Sequence, residues 1–402
     1  MNITVRSKLS VMMFLQYLIW GAWFVTGYAF LTKKFGFTDG EAASCYATTN
    51  LAAMIAPFFV GMIADRFFSA QKVLAALHLL GGVFIYLASM QTTFAAFYPL
   101  ILAHTLCYMP TMALTNSVAF AQMSDPGKQF PTIRVLGTIG WIAAGQLVSL
   151  LGYDLDVRIF HIAALSSVGL AVFCLFLPDT PPRAKGEPVS IRAILGLDAL
   201  SLMKDRSFAV FMIGSFLICI PLAFYYNLTG SFLGDRGVKD VAATMSWGQM
   251  SEIFFMLVFP LCFARLGVKW MLIVGMAAWA GRYFLFSSHV PGSSLWPVYI
   301  GVILHGVCYD FFFVTGQVYV DQRADERIRS AAQGFIAFAT YGLGMFVGSM
   351  IQGKVAAAYT AGDVKAWDKI WIVPALGSLG VLLLFLAMFK TPAKAKAVAA
   401  SH

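Results

Sequence analysis

Residues 245–263 read MSWGQMSEIFFMLVFPLCF, an apolar run in which Glu252 is the only charged side chain. Residues 295–320 read LWPVYIGVILHGVCYDFFFVTGQVYV, and Asp310 is the only charged side chain there. Both runs have about the 20 mostly apolar residues that a helix needs to cross a bilayer. A charge at the centre of such a helix costs about 2.5–3.5 kcal/mol on insertion scales, so it usually faces a polar cavity and handles a proton, an ion or a substrate. The pair therefore makes an ion-coupled transporter the leading hypothesis.

The whole chain has the composition of a membrane protein. Hydrophobic residues make up 59% of its 402 residues and charged residues only 12%, and the mean hydropathy is +0.77. Soluble domains carry about 25% charge. We therefore predict an all-α membrane protein with twelve transmembrane helices in two six-helix pseudo-symmetric halves. The spans are expected at Ser10–Leu31, Glu41–Ala64, Lys72–Met90, Phe94–Phe120, Ile133–Gly152, Ile159–Leu177, Phe208–Leu233, Thr244–Ala264, Lys269–Ser287, Trp296–Val320, Ala331–Ala356 and Lys369–Met388.

The placement of basic residues predicts the orientation. If the N-terminus lies inside, 19 of the 28 Lys and Arg fall on inner segments and eight on outer ones, while Arg282 stays within a span. Inner segments carry the excess of Lys and Arg in such proteins. Both termini are therefore expected in the cytoplasm of a bacterial-type inner membrane. The net charge of +9 is explained by this bias, and no nucleic-acid partner is expected.

A long polar stretch divides the chain. We predict an N-terminal six-helix bundle at 1–178, a cytoplasmic linker at 179–206, a C-terminal six-helix bundle at 207–390 and a tail at 391–402. Within the linker, Ser190–Lys204 has the alternation of an amphipathic helix on the membrane surface. The segment Ile133-Arg134 and the segment Ile328-Arg329 open corresponding spans of the two bundles, which favours duplicated halves.

The chain shows no pattern typical of an enzyme or of a cofactor site. Its six cysteines fall within the spans and lack metal-ligand spacing. No phosphate-binding loop is present in the sequence, and no nucleophile or metal constellation was found. We therefore expect no cofactor, no metal and no enzymatic activity. The expected partners are a small-molecule substrate, protons and the lipid bilayer, and the expected working unit is a monomer.

Several motifs carry a family resemblance. The segment Gly61-x-x-x-Asp65-Arg66 resembles the loop signature of the major facilitator superfamily. Within that superfamily the chain resembles the nucleoside:proton symporter family along most of its length. The segments that carry this resemblance are 14–23 (FLQYLIWGAW), 108–111 (YMPT), 133–140 (IRVLGTIG), 195–199 (LGLDA), 249–252 (QMSE), 309–312 (YDFF) and 329–334 (RSAAQG). The resemblance implies proton-coupled import of nucleosides by alternating access, with roles for Arg134, Gln249, Glu252 and Asp310.

The seventh span departs from the family pattern. Family members carry amide side chains that face the ligand there, whereas this chain has Ala223 and Tyr226, with Asn227 adjacent. A proton-coupled carrier for another sugar-containing solute is therefore the alternative function. Pro221 removes a helix hydrogen bond, so this span is expected either to break near the ligand or to continue as a Pro-kinked helix without ligand contact.

The residues around the carboxylates can be interpreted without the family. Ser246, Gln249 and Glu252 recur every three residues, so they share a helix face that suits a hydroxyl-rich ligand. Polar contacts between helices are the alternative. Tyr309 and Phe311 flank Asp310 and could stack on a base. A static ion pair between Asp310 and Arg282 is the alternative for that acid.

The remaining candidates extend the site. Arg134 and Thr138 lie one turn apart in span five, and Gln16 and Trp20 share a face of span one. Arg134 could instead be an anchor at the inner membrane surface. The expected substrate-binding residues are Gln16, Trp20, Arg134, Thr138, Tyr226, Asn227, Gln249, Glu252, Tyr309, Asp310 and Phe311. The expected proton-coupling residues are Glu252 and Asp310, and the expected gating residues are Asp65, Arg66, Arg134, Arg282 and Arg329.

Overall fold

The structure is a computed structural model that describes residues 2–124, 126–182, 197–324, 328–362 and 364–390. The predicted tail at 391–402 and most of the predicted linker, 183–196, lie outside the described residues. The side chains of Asp65, Arg66 and Arg329, three of the predicted gating residues, also lie outside them.

Six apolar helices form the first part of the chain. They are α1 (Ile3–Lys33), α2 (Asp39–Arg66), α3 (Ala70–Ser89), α4 (Phe94–Ala121), α5 (Pro126–Leu150) and α6 (Arg158–Cys174). Helix α1 begins with a side-chain cap, since the Asn2 side chain accepts from the Thr4 backbone N–H at 3.0 Å. Helix α1 packs mainly on α5 and α6, and α3 packs on α4 and α6.

The later helices follow a short 3₁₀ helix at Leu197–Lys204, which is the described part of the predicted amphipathic helix. They are α7 (Arg206–Asp235), α8 (Val241–Ser288), α9 (Trp296–Ile303), α10 (His305–Tyr309), α11 (Thr315–Arg323), α12 (Arg329–Ala337), α13 (Met345–Ala358) and α14 (Trp367–Met388). A small hairpin of β1 (Thr360–Ala361) and β2 (Val364–Lys365) joins α13 to α14.

Two later spans contain a π-helical turn. Asp310–Val314 joins α10 to α11, so helical backbone runs from Trp296 to Arg323. Phe338–Gly344 joins α12 to α13 in the same way. A π turn inserts an extra residue into a helix and re-aims the side chains around it, and such turns are frequent at functional sites. Asp310 is the first residue of one of them.

The helix α8 contains the predicted spans Thr244–Ala264 and Lys269–Ser287 as two limbs. Gly267, with φ 66° and ψ 176°, separates the limb 241–266 from the limb 268–288. This backbone conformation is open to glycine and strained for other residues. Of the two alternatives at Pro221, the break is wrong, because α7 continues through that residue.

Nine helices in the described part of the chain are long and apolar enough to cross a membrane. The nine count α8 once although it has 48 residues, and they leave out α2 and the 17-residue α6. Each of the twelve predicted spans coincides with helical backbone, and the count of twelve crossings stays a prediction.

Close helix approaches hold the bundle together. A side chain at Gly140 of α5 would put its Cβ 2.1 Å from the Phe14 carbonyl oxygen of α1. Small residues at crossings let membrane helices pack in this way. Three pairs of helices join the first six helices to the later ones. Helix α5 packs on α8, α2 packs on α13, and α1 packs on α7.

Candidate functional site

The structure brings the two carboxylates together between α8 and the π turn. Glu252 is partly exposed near the middle of the first limb of α8, and Asp310 is fully buried. They are close enough for the charge of Glu252 to act on Asp310. Neither oxygen of Asp310 has a hydrogen-bond partner among the described residues. The predicted proton-coupling residues are therefore neighbours in the fold.

Arg134 approaches the carboxylates from α5. Its guanidinium carbon lies 4.1 Å from the centroid of the Tyr17 ring, and its charge acts on Glu252. Gly137 makes room for this stack, because a Cβ there would lie 2.6 Å from Tyr17 and 2.8 Å from the guanidinium. Thr138 lies beside it on α5 and is partly exposed. Glu252 thus lies within electrostatic range of a cation from α5 and of the buried acid of the π turn.

Several aromatic rings lie near these charged groups. The Tyr341 hydroxyl donates to the Tyr309 hydroxyl at 2.7 Å, and Tyr309 lies within electrostatic range of Glu252. From α7, Tyr226 is partly exposed and its ring makes an edge contact with Phe24 at 6.2 Å between centroids.

Trp20 of α1 packs in a cluster of aromatic rings. Its indole makes edge contacts with Phe24 at 5.4 Å and with Trp141 at 5.3 Å. Its Nε1 is buried without a hydrogen-bond partner among the described residues. Ring faces with unsatisfied donors nearby suit a planar ligand that also carries acceptors. Phe311, in contrast, is buried and makes an edge contact with Phe255 at 5.9 Å.

The predicted polar face of α8 divides between two roles. Ser246 Oγ accepts a hydrogen bond from Gln146 Nε2 of α5 at 2.8 Å. For Ser246 the structure therefore shows a polar contact between helices, which was the alternative to ligand binding. One turn deeper, Gln249 is buried and its Oε1 has no partner within the described part of the chain. Glu252 lies another turn on. Gln249 and Glu252 are therefore the members of this face that remain open to a ligand.

Two predicted ligand residues are engaged elsewhere. The Gln16 amide donates to Thr111 Oγ1 at 2.7 Å, and its Oε1 lies 2.9 Å from His78 Nε2. Asn227 Nδ2 donates to Gln352 Oε1 at 2.9 Å. Both side chains are almost fully buried. In this conformation their amides join helices, and contact of Gln16 and Asn227 with a ligand stays a prediction.

Arg282 lies in the second limb of α8 and is fully buried. Its guanidinium carbon lies 4.0 Å from the centroid of the Tyr225 ring. None of its three nitrogens, and neither oxygen of Asp310, has a hydrogen-bond partner among the residues described. The alternative of a static Asp310–Arg282 ion pair is therefore wrong for this structure.

Polar side chains join early and late helices where α1 ends and α2 begins. Asp39 of α2 forms a buried ion pair with Lys365 of the hairpin. The Tyr28 hydroxyl donates to the Asp39 carbonyl oxygen at 3.0 Å and accepts from Gln352 Nε2 at 3.0 Å. Gln352 in turn accepts from Asn227. We call Tyr28, Asp39, Asn227, Gln352 and Lys365 the latch.

Further bonds close the same end of the bundle. Lys33 pairs with Asp235, and the Ala242 backbone N–H donates to Asp154 Oδ1 at 2.7 Å. The hydrogen bonds that join two described residues, one in α1–α6 and one in the later helices, lie in this half of the bundle. The bundle is thus tied at the end where α1 meets α2.

Sequence reasoning missed several residues around the site. Tyr17 stacks on Arg134, and Tyr341 bonds Tyr309, but neither was among the candidates. Tyr17, Trp20 and Phe24 recur at helical spacing, which was the available signal for one aromatic face of α1. No comparable signal pointed to Tyr341, which the π turn at Phe338–Gly344 carries.

Comparisons with known proteins agree with this geometry. A family model described as Nucleoside H+ symporter matches residues 1–394. The chain is 44% identical over 400 residues to the putative nucleoside transporter YegT of Escherichia coli (strain K12), covering 96% of this chain and 93% of the relative. It is 33% identical over 418 residues to the xanthosine permease of the same organism, covering 99% and 100%. It also superposes on a crystal structure of a mutant of the nucleoside transporter NupG with a TM-score of 0.90 and 31% identity, covering 96% and 100% of the two chains. The predicted major facilitator type of fold is confirmed.

Proposed function

Because the chain belongs to the nucleoside H+ symporter family, we propose that it takes up nucleosides together with protons by alternating access. It is a transporter in the membrane and not an enzyme. The observation that supports the mechanism is that Glu252 lies within electrostatic range of both Arg134 and Asp310, which come from two other helices. Transporter sites commonly lie near the bilayer midplane, where opposing helices meet.

The ligand is held by polar groups at one end and by rings at the other. Gln249 Oε1 has no donor among the described residues, and the Glu252 carboxylate is partly exposed. Both can therefore accept hydrogen bonds from ribose hydroxyls. The rings of Trp20, Tyr226 and Tyr309 offer faces for the base. Arg134 and Thr138 supply donors from the α5 side.

The proton is carried by the carboxylate pair. Two acids that act on each other in a low-dielectric site are hard to ionise together, so they share protons over a cycle. Among the described residues no donor stabilises the charge of Asp310, so this acid is best suited to hold the proton. Arg134 lies within electrostatic range of Glu252, so movement of α5 against α8 would couple release of a proton there to the change of conformation.

Alternating access requires the latch to open. In the predicted orientation the latch lies on the outer side, which supports assigning this conformation to a state closed to the outside. The proposed gating residues Asp65, Arg66, Arg134, Arg282 and Arg329 would act during the opposite closure. The protein works as a monomer in a bacterial-type inner membrane with both termini in the cytoplasm.

A second candidate function keeps proton coupling but changes the solute. Ala223 is fully buried and Tyr226 replaces an amide position, while the amide of Asn227 bonds Gln352. On the α7 side of the site, the Tyr226 ring therefore takes the place of an amide that would form hydrogen bonds with the edge of a base. A sugar-containing solute without a base could use the same Gln249 and Glu252 contacts.

A competition panel separates the two functions. Purified protein in proteoliposomes is given radiolabelled uridine with an excess of unlabelled nucleosides, free sugars or amino sugars. Nucleosides should compete and free ribose should not. Competition by sugars alone would favour the second candidate function, and no saturable uptake of any nucleoside would contradict the first.

A further inference from the structure

Three buried polar side chains meet behind the wall of the ligand site. Arg282 comes from the second limb of α8, Tyr225 from α7 and His305 from the start of α10. The guanidinium carbon lies 4.0 Å from the centroid of the Tyr225 ring, and the His305 ring stacks on Tyr225 at 5.1 Å with an interplanar angle of 14°. We call these three residues the Arg282 cluster.

All three side chains expose 1% of their surface or less. The three guanidinium nitrogens, the Tyr225 hydroxyl and both ring nitrogens of His305 lack a hydrogen-bond partner among the described residues. The Tyr283 hydroxyl lies close to the guanidinium without hydrogen-bond geometry, and it donates to the Pro221 carbonyl oxygen at 2.6 Å. A buried polar group without a partner costs about 1–3 kcal/mol, and a charged one costs more. Such a concentration of unsatisfied donors points to a ligand that accepts from them.

The cluster carries one positive charge without compensation. Arginine keeps its proton in proteins. The acids of the ligand site do not supply the counter-charge, because Arg282 forms no hydrogen bond or ion pair with Glu252 or Asp310 in the described structure. The groups on which its charge acts include the Cys308 thiol and the hydroxyls of neighbouring tyrosines. A buried cation without a partner costs several kcal/mol.

We propose that the Arg282 cluster binds a small monovalent anion, of which chloride is the abundant example. One negative charge balances the guanidinium, whereas a dianion would leave an excess. The near-complete burial of all three side chains favours a small spherical ion over a bulky organic acid. The guanidinium and hydroxyl N–H and O–H groups, with a ring N–H of His305, are the donors.

The site adjoins the ligand wall without being part of it. The His305 ring lies 5.8 Å from the Tyr226 ring and 5.7 Å from the Tyr309 ring, and both of these tyrosines belong to the proposed nucleoside site. A bound anion would therefore tie α7, α8 and α10 together behind that wall and fix the positions of the two rings. Binding of an anion at the Arg282 cluster does not depend on which solute the protein carries.

The test is thermal unfolding of the purified full chain in sodium chloride against sodium gluconate at constant ionic strength. A ligand that binds the folded state raises the unfolding temperature in a saturable way. We expect such a rise with chloride and with bromide. Arg282→Met should abolish it, and Tyr225→Phe should raise the half-saturating chloride concentration about tenfold. Arg158→Met, which breaks an exposed ion pair with Asp156 at the start of α6, is the matched control and should respond like the wild type.

Two results would overturn the proposal. One is a wild-type protein whose unfolding temperature has no saturable dependence on chloride. The other is an equal response in the Tyr225→Phe and wild-type proteins, a comparison that holds even if Arg282→Met does not fold. Cys308→Ser separates the remaining explanation, a thiolate as internal counter-charge. In that case Cys308→Ser lowers the unfolding temperature in every buffer and chloride has no effect on the wild type. The readout needs no transport, so failure of nucleoside uptake would not be confused with failure of this site.

Discussion

At the scale of single residues, the sequence identified the acids but not their surroundings. Glu252 and Asp310 were conspicuous because an apolar run makes any charge expensive. Tyr17 and Tyr341 could not be found in that way, because an aromatic residue in a membrane helix costs little wherever it points. The sequence also could not give the partners of Gln16. Its amide is hydrogen-bonded by Thr111 and His78 from two other helices.

Neutralising the carboxylates should separate binding from coupling. We expect Glu252→Gln and Asp310→Asn each to reduce gradient-driven nucleoside accumulation to the level reached without a pH gradient, since neither amide can carry the proton. Asp310→Asn should retain nucleoside binding better than Glu252→Gln, because Asp310 is fully buried and Glu252 is partly exposed. Uptake and equilibrium binding in proteoliposomes measure the two effects.

The control for this pair is Asp240→Asn. Asp240 precedes α8 at the surface, and its side chain forms no cap hydrogen bond. The Asp240→Asn protein should accumulate nucleoside like the wild type. Full accumulation by both site variants would contradict proton carriage by the carboxylates.

At the scale of helices, apolar runs predicted where helical backbone lies, but not its local deviations. The bend at Gly267 and the π turns depend on packing against neighbouring helices, and hydrophobic periodicity carries little information about them. Pro221 shows why a local rule can fail. Its ring removes one backbone bond, yet α7 continues, and the Pro221 carbonyl gains a hydrogen bond from the Tyr283 hydroxyl at 2.6 Å.

The start of α7 offers a prediction that depends on pH. The Asp205 side chain caps this helix by accepting from the Phe208 backbone N–H at 2.8 Å, and it pairs with Arg323. The backbone N–H and the guanidinium hold the pKa of Asp205 below its usual value. A lowered pKa in the folded state means that the cap stabilises above the unfolded pKa and is lost as the pH falls through the folded pKa.

Asp205→Ala should therefore destabilise the protein by about 1 kcal/mol near neutral pH. The difference from the wild type should shrink as the pH falls towards and below the lowered pKa. Thermal unfolding at a series of pH values measures it. A difference that stays constant with pH would show that the carboxylate charge plays no part in the cap. Asp205→Asn keeps an acceptor without the charge and should fall between the two.

At the scale of the whole molecule, the major facilitator fold was predictable and the captured state was not. Twelve apolar runs, a polar linker and the basic-residue bias define a type of fold. They contain no information about which end is closed, because closure depends on pairs distant in sequence. Asp39 and Lys365 are 326 residues apart in the sequence, and the sequence around either residue does not predict their ion pair.

Breaking the latch should shift the balance between conformations. The Asp39–Lys365 pair is buried, with side-chain exposures of 5% and 9%. Removing one partner of a buried pair costs about 3–5 kcal/mol, and we expect Asp39→Asn to favour the state open at the latch end. Distances between spin labels on the exposed loops at that end should increase. The half-exposed pair of Lys33 and Asp235 is the matched control, since such pairs contribute about 0–1 kcal/mol. Equal distances in Lys33→Gln, Asp39→Asn and the wild type would exclude the latch as a gate.

The central claim is that a proton gradient drives nucleosides through the space between Arg134, Glu252 and Asp310. The most direct measurement is uptake of radiolabelled uridine or adenosine into proteoliposomes, with and without an imposed inward proton gradient. The account predicts saturable accumulation above the equilibrium level that collapses when a protonophore dissipates the gradient. Uptake that only equilibrates the nucleoside, at the same level with and without the gradient in correctly folded protein, would contradict it.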